Sequence, residues 1–259
     1  LFPMKFKISK DVFLEGLQKV QHVVSSRTTL PILSNVLLVA KDGRLVFTTT
    51  DLDVGITGSV EASIDKEGAT TLPAKRLVSI VKELPASEVE VTVDAKNYAT
   101  IKSGPSTFKI IGLSDSEFPP LPDFEGAKTF KIPQADLKSG LKKTAFAIST
   151  DETRYVLNGI FASFREGKLA LVATDGRRLA MADMDLEFPA SHETDVIIPS
   201  KAVSEIQRLL GDSGEVEVKL SDSQISFTVG DTFLASKLIE GNYPNYRQVI
   251  PGDSNERVI

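Results

Sequence analysis

The chain has 259 residues, 41% of them hydrophobic and 25% charged, with a net charge of −5 and no cysteine. That is an ordinary globular composition with apolar material for two cores, and it excludes disulfides, thiolate chemistry and a generally basic surface. No stretch reaches the roughly 18 apolar residues of a membrane-spanning helix, so no membrane partner is expected.

Leu1-Phe2-Pro3, ahead of Met4, reads as a remnant foreign to the chain. A short strand over 5–8 then leads into an amphipathic helix over 10–24, where Leu14, Leu17, Val20 and Val24 form one apolar stripe. Alternating patterns place strands over 35–40, 44–50 and 55–64, and Asp42-Gly43 occupies a tight hairpin position that asks for positive φ. Pro73 opens a helix over 73–84 that Pro85 stops. Strands over 88–93, 99–102 and 107–112 follow, and then a proline-rich joint, Pro119-Pro120-Leu121-Pro122-Asp123-Phe124-Glu125-Gly126. Its prolines disfavour helix and stiffen the connection, so a fixed joint is expected.

The order then repeats. A strand over 129–132 precedes a helix over 134–148 with Leu137, Leu141, Ala145 and Ile148 inward. Strands over 158–164, 168–174 and 178–186 follow, with Glu166-Gly167 at the hairpin. A helix over 199–210 opens on Pro199 and ends at Gly211, before strands over 215–220, 224–229 and 232–238. The repetition extends to residues. Phe6-Lys7-Ile8 is answered by Phe130-Lys131-Ile132, Gly43-Arg44-Leu45 by Gly167-Lys168-Leu169, and Thr50-Asp51 by Thr174-Asp175, all 124 positions apart. Solenoid units run about 20–50 residues, so this period is a duplicated domain. The boundaries expected are 4–123 and 124–250. Residues 251–259, ending in Arg257-Val258-Ile259, read as the start of a third copy that is missing.

Chemistry is scarce in this sequence. There is no Gly-rich phosphate loop, no zinc-ligand spacing and no Gly-x-Ser-x-Gly elbow, and His22 and His192 stand in unrelated contexts. Neither enzymatic activity, cofactor nor metal is expected. Asp51 and Asp175 are equivalent carboxylates and invite comparison with an aspartic dyad. Leu52-Asp53 and Gly176-Arg177 after them lack the small hydroxyl residue and glycine that such a dyad wants, so both aspartates read as hairpin caps.

Positive charge is better organised. Lys75 and Lys82 lie seven apart on one helix, Lys201 and Arg208 seven apart on its counterpart, and Lys138 and Lys142 four apart on another. Those spacings put each pair on one helix face. Arg76 adjoins the first pair, and Arg27 follows the first helix in a loop. Basic charge gathered on repeated helices of an acidic chain points to a polyanion contacted without sequence reading.

Several segments are specific enough to carry a family resemblance. They are Met4-Lys5-Phe6, Thr29-Leu30-Pro31-Ile32-Leu33-Ser34-Asn35, Thr50-Asp51-Leu52 and Thr71-Leu72-Pro73-Ala74 in the first half. In the second they are Arg154-Tyr155-Val156-Leu157-Asn158-Gly159, Val172-Ala173-Thr174-Asp175-Gly176-Arg177-Arg178-Leu179-Ala180 and Tyr243-Pro244-Asn245-Tyr246-Arg247. With these the chain resembles the bacterial DNA polymerase III beta subunit, the sliding clamp family. The resemblance implies an α+β repeated DNA-clamp fold, each domain two β-sheets backed by two α-helices that line a central hole. It implies a cytoplasmic, non-catalytic processivity factor that encircles double-stranded DNA as a head-to-tail ring of two three-domain subunits. The basic set Arg27, Lys75, Arg76, Lys82, Lys138, Lys142, Lys201 and Arg208 would face the phosphates.

The resemblance also implies a pocket for short motifs of the DNA polymerase III alpha subunit, the clamp loader and other partners. By motif it falls on Leu157, Thr174, Gly176, Arg177, Arg178, Leu179, Pro244 and Val249, with Arg154 and Arg247 nearby. Arg177 stands where a histidine is common and Gln248 where some members carry arginine, which bears on peptide preference. The alternative reading is a clamp fragment serving only as a peptide-binding scaffold.

Overall fold

The computed structural model describes residues 4–24, 28–85 and 87–251; Arg27 and the expected opening of a third copy lie outside them. The first repeat runs β1 (Met4–Ser9), α1 (Lys10–Val20), β2 (Asn35–Lys41), β3 (Arg44–Thr50), β4 (Val54–Glu61), β5 (Ser63–Lys66), β6 (Gly68–Pro73), α2 (Ala74–Lys82), β7 (Glu88–Val93), β8 (Tyr98–Ser103) and β9 (Ser106–Ile111). The second runs β10 (Lys128–Pro133), α3 (Gln134–Thr144), β11 (Gly159–Arg165), β12 (Lys168–Thr174), β13 (Leu179–Asp185), β14 (Thr194–Pro199), α4 (Ser200–Leu209), β15 (Glu215–Leu220), β16 (Gln224–Val229) and β17 (Thr232–Lys237).

The Ser9 hydroxyl starts α1 by accepting from Val12 N at 3.2 Å, which satisfies one of the free amides of the first turn. The helix buries Phe13, Gly16, Leu17 and Val20. It is shorter than its apolar stripe: the last turn, Gln21–Val23, tightens to a 3₁₀ helix, and Ala145–Ala147 does the same after α3. Pro73 and Pro199 stand at the N-caps of α2 and α4, closing the strand before each helix, not inside the first helical turn. Those strands, β6 and β14, are not among the expected elements. Their signal is short: Val196-Ile197-Ile198 is a β-branched run, and a residue before proline is driven toward extended backbone. The expected strand over 55–64 divides into β4 and β5, which join different sheets.

All strand pairs are antiparallel. One sheet has the order β5-β1-β7-β8-β9, a second β13-β12-β11-β14, and a third of eight strands β10-β15-β16-β17-β4-β3-β2-β6. Each repeat therefore owns two sheets, and the eight-stranded one is shared. The hairpin residues Asp42 and Gly43 have φ of 50° and 72°, and Glu166 and Gly167 53° and 70°, so both loops turn with the twist of their strands. Gly16 and Gly140 let the first helix of each repeat close on its sheet. A Cβ on Gly16 would stand 2.5 Å from the Phe47 ring, and one on Gly140 2.9 Å from Leu171, the equivalent position.

The repeats meet edge to edge. Phe233 pairs with Thr57, Leu234 with Ile56, Ala235 with Gly55 and Ser236 with Val54, carrying the sheet across the boundary. Ion pairs lace the joint: Arg44 to Asp231 at 2.8 Å, Lys237 to Asp53 at 3.0 Å, and Lys201 to Asp51. Leu121 of the proline-rich joint lies over Gly55, where a Cβ would come within 2.2 Å of its Cδ2. The geometry is fixed by these contacts as much as by prolines.

Candidate partner groove and basic helix faces

The turn between β12 and β13 builds one wall of an open groove. Asp175 Oδ1 accepts from the amides of Arg177 and Arg178, each at 3.0 Å. The Thr174 hydroxyl donates to Arg178 O at 2.7 Å and accepts from Gly176 N at 3.1 Å. Gly176 has φ +84°, a backbone conformation that favours glycine, although Leu52 holds φ 78° at the equivalent position of the first repeat. The first repeat holds the same turn: Thr50 donates to Val54 O at 3.0 Å, and Asp51 Oδ1 accepts from Asp53 N at 3.0 Å and Val54 N at 2.8 Å. Both aspartates are turn caps, as their sequence context indicates, and Asp51 also takes the Lys201 ammonium.

The amides of Arg177 and Arg178 hold the Asp175 carboxyl below the usual carboxylate range. A depressed carboxyl keeps its turn bonds at and above the ordinary pKa and loses them only as pH falls through the lowered value. In an NMR titration the Arg177 and Arg178 amide shifts should therefore move with a midpoint below about 3.9. A midpoint at or above that value would mean the carboxylate does not hold the turn in solution.

Leu157, Thr174, Gly176, Arg177, Arg178, Leu179, Pro244 and Val249 converge on one cavity of about 380 Å³. Asn245 and Tyr246, which the motif reading leaves out, complete its lining. Tyr246 is buried and Val249 is 69% exposed, so the groove has a firm floor and an open side. Tyr243 anchors the segment by stacking on Phe161 with centroids 4.9 Å apart, and burial pushes its phenol up to about 12. Arg154 lies outside the apolar groove, in a neighbouring polar cavity of about 800 Å³ that Arg177 and Arg178 also border. Arg247 lines neither; its guanidinium lies over the Tyr246 ring at 6.0 Å.

The first repeat shows how the equivalent space is narrowed. Thr50, Leu52, Asp53 and Gly55 occupy the positions of Thr174, Gly176, Arg177 and Leu179, and the matching space is reduced to about 290 Å³. Leu121 fills part of it, and Ala235, Ser236 and Lys237 of β17 close one side. A leucine at 55 would expel Leu121; at 179 it is a wall.

The basic residues divide into two groups. Lys75, Arg76, Lys82 and Lys142 are exposed and make no ion pair among the described residues. Lys138 is paired with Asp212 at 2.7 Å and Arg208 with the buried Glu205. Lys201 crosses the joint, donating to Val23 O at 3.1 Å as well as to Asp51. Its first duty is structural, a role the seven-residue spacing with Arg208 does not reveal. Exposed Lys143, next to Lys142, is a further unpaired cation that spacing passes over. No helix among the described residues is long and apolar enough to cross a membrane, and none of their His, Asp and Glu side chains form a group of three placed for a metal.

Comparison with known proteins agrees along the chain. The sequence model described as DNA polymerase III beta subunit, N-terminal domain, matches residues 4–122, and that of the central domain matches residues 131–245. The beta sliding clamp of Chlamydia pneumoniae is 36% identical over 98% of this chain and 70% of its own length. That of Bacillus subtilis is 36% identical over 99% of this chain and 70% of its own. Against the Chlamydia trachomatis relative the chain spans 61% of the length. The crystal structure of the B. subtilis clamp superposes with a TM-score of 0.94 at 35% identity, covering 98% of this chain and 69% of that one. A Bartonella birtlesii clamp bound to griselimycin gives 0.91 at 41% identity, covering 96% and 68%.

Proposed function

The chain belongs to the DNA polymerase III beta subunit family, the beta sliding clamps, and on that premise we propose that units 4–123 and 124–250 form an arc of a ring around duplex DNA. It works in the cytoplasm, makes and breaks no bond, and tethers the replicative polymerase to its template. The observation that carries this reading is the β17–β4 join. By the repeat, β9 is the counterpart of β17 and β13 of β4, and each ends its sheet with an open edge. By strand register Phe108 stands for Leu234 and Met181 for Thr57, both residues of the existing join, and both are large exposed apolar side chains. Repeating the same join at both edges, with further copies of the unit, extends the arc head to tail toward a closed ring.

Inside the arc, Lys75, Arg76, Lys82 and Lys142 supply mobile cations for phosphates, with Lys138, Lys201 and Arg208 already engaged. Such contacts hold DNA weakly, without reading sequence, and lose strength steeply with salt. On the outside, the groove at Leu157, Leu179, Pro244 and Val249 takes an apolar anchor from motifs of the polymerase III alpha subunit, the clamp loader and other partners. The test is topological. Gene product loaded on nicked circular duplex should survive a high-salt wash and be released when the circle is cut. Equal release from circular and linear DNA would remove the ring. That result would leave standing the second reading, a peptide-binding scaffold, which the fully formed groove favours.

The phosphate-facing role has its own measurement. Lys82→Glu with Lys142→Glu should weaken duplex binding in fluorescence anisotropy. Its salt dependence should flatten too, by about one unit of slope for each phosphate that is no longer neutralised. An unchanged slope would move the DNA face elsewhere.

A further inference from the structure

Four guanidiniums surround the groove, and three are already committed. Arg154 pairs with Asp151 at 3.6 Å and reaches Asp175 O at 3.4 Å. Arg178 donates from Nε to Asp175 Oδ2 at 3.0 Å and from Nη2 to Phe146 O at 2.8 Å. Arg247 lies over Tyr246. Among the described residues the Arg177 guanidinium has no partner, although it is exposed and borders both the apolar groove and the polar cavity. The carboxylates beside it are mostly occupied. Asp175 serves two amides and Arg178, and Asp151 serves Thr153 and Arg154. Glu152 alone lines the polar cavity with no ion pair and is the intramolecular competitor.

The first repeat shows, independently, what this position does when something lies against it. Asp53 is the equivalent of Arg177. The segment that closes that groove is β17, whose Lys237 brings its ammonium to Asp53 at 3.0 Å while its amide donates to Asp53 O at 2.8 Å. The turn residue at this place meets the charge of the incoming segment. At 177 its sign is reversed.

We propose that Arg177 sets the charge preference of the groove: the docked partner is an extended peptide with an apolar side chain between Leu157, Leu179, Pro244 and Val249 and an acidic residue beside it, paired with Arg177. This rests on the peptide-docking reading. A guanidinium offers a carboxylate two parallel N–H donors, so the pair has geometry as well as charge.

A series of Gln-Leu-rich peptides, each with a single Asp moved through the positions flanking the leucine and each with an Asn twin, tests it by calorimetry. At one register the Asp peptide should bind about three- to tenfold more tightly than its twin at low salt, with the ratio shrinking as salt rises. In Arg177→Gln that ratio should fall to about one, whatever the absolute affinities become, and in Arg177→Glu below one. In Glu152→Gln it should hold or rise. Twins that bind equally at every register, or an Asp preference that survives in Arg177→Gln, would overturn the assignment and leave docking intact. A wild-type chain that binds no member of the series would overturn docking itself.

Discussion

Leu179→Asp should abolish peptide docking, with Kd rising by at least about a hundredfold. Leu179 opens β13 and is half-buried in the groove wall, where an apolar anchor would cover it. A carboxylate there loses its water when the anchor arrives, and an unpaired buried charge costs several kcal/mol. Every 1.4 kcal/mol is about tenfold in affinity, so a loss of roughly two decades is a modest expectation. The available rescue is self-defeating, because the free Arg177 guanidinium could pair with the new carboxylate only by leaving the ligand. Stability should barely change, since the position lies at the start of an edge strand with room around it. Calorimetry with a Gln-Leu-rich peptide, beside a circular dichroism melt, separates the two effects. A wild-type isotherm would place docking elsewhere on the molecule.

Phe47→Ala should cost about 3–5 kcal/mol, the range for truncating a fully buried aromatic. Phe47 is wholly inaccessible, its ring 6.0 Å from that of Phe13 and directly over Gly16 of α1. Against a total stability of about 5–15 kcal/mol, such a loss should be plain in the midpoint of a urea titration. Gly16→Ala attacks the same packing from the other side, because its new Cβ drives into the ring. Combined with Phe47→Leu, it should cost less than the sum of the two single changes. Strict additivity would mean that the helix shifts and the ring does not feel the methyl.

Local signals in the sequence carry much of this architecture. Asp42-Gly43 and Glu166-Gly167 announce their turns because positive φ restricts the residue choice, and the stripes through Leu17 and Leu141 announce the first helices. The segments 68–73 and 194–199 are harder: each is too short for clear alternation and ends on a proline that also marks the next helix. Five of the eight groove residues are legible through the Thr-Asp-Gly-Arg-Arg-Leu motif, and Leu157, Pro244 and Val249 through the family resemblance, not through periodicity; all eight line one cavity. Lys201 makes an ion pair that its helical spacing does not reveal, for a physical reason. Spacing reports the face of a helix but not what lies opposite, and opposite Lys201 lies Asp51, contributed by the other repeat. The pairing of Phe233 with Thr57 leaves no local trace at all.

That pairing has a consequence for how the protein comes into being. On a ribosome, β4 emerges long before β17, and until then the first unit must hold an exposed hydrogen-bonding edge. Contacts between residues so far apart in sequence form late and slowly, and an open edge in the interval is a template for pairing with another chain. The first unit therefore waits on the second to complete its sheet, and a nascent chain stalled before β17 is the form of this molecule most exposed to aggregation.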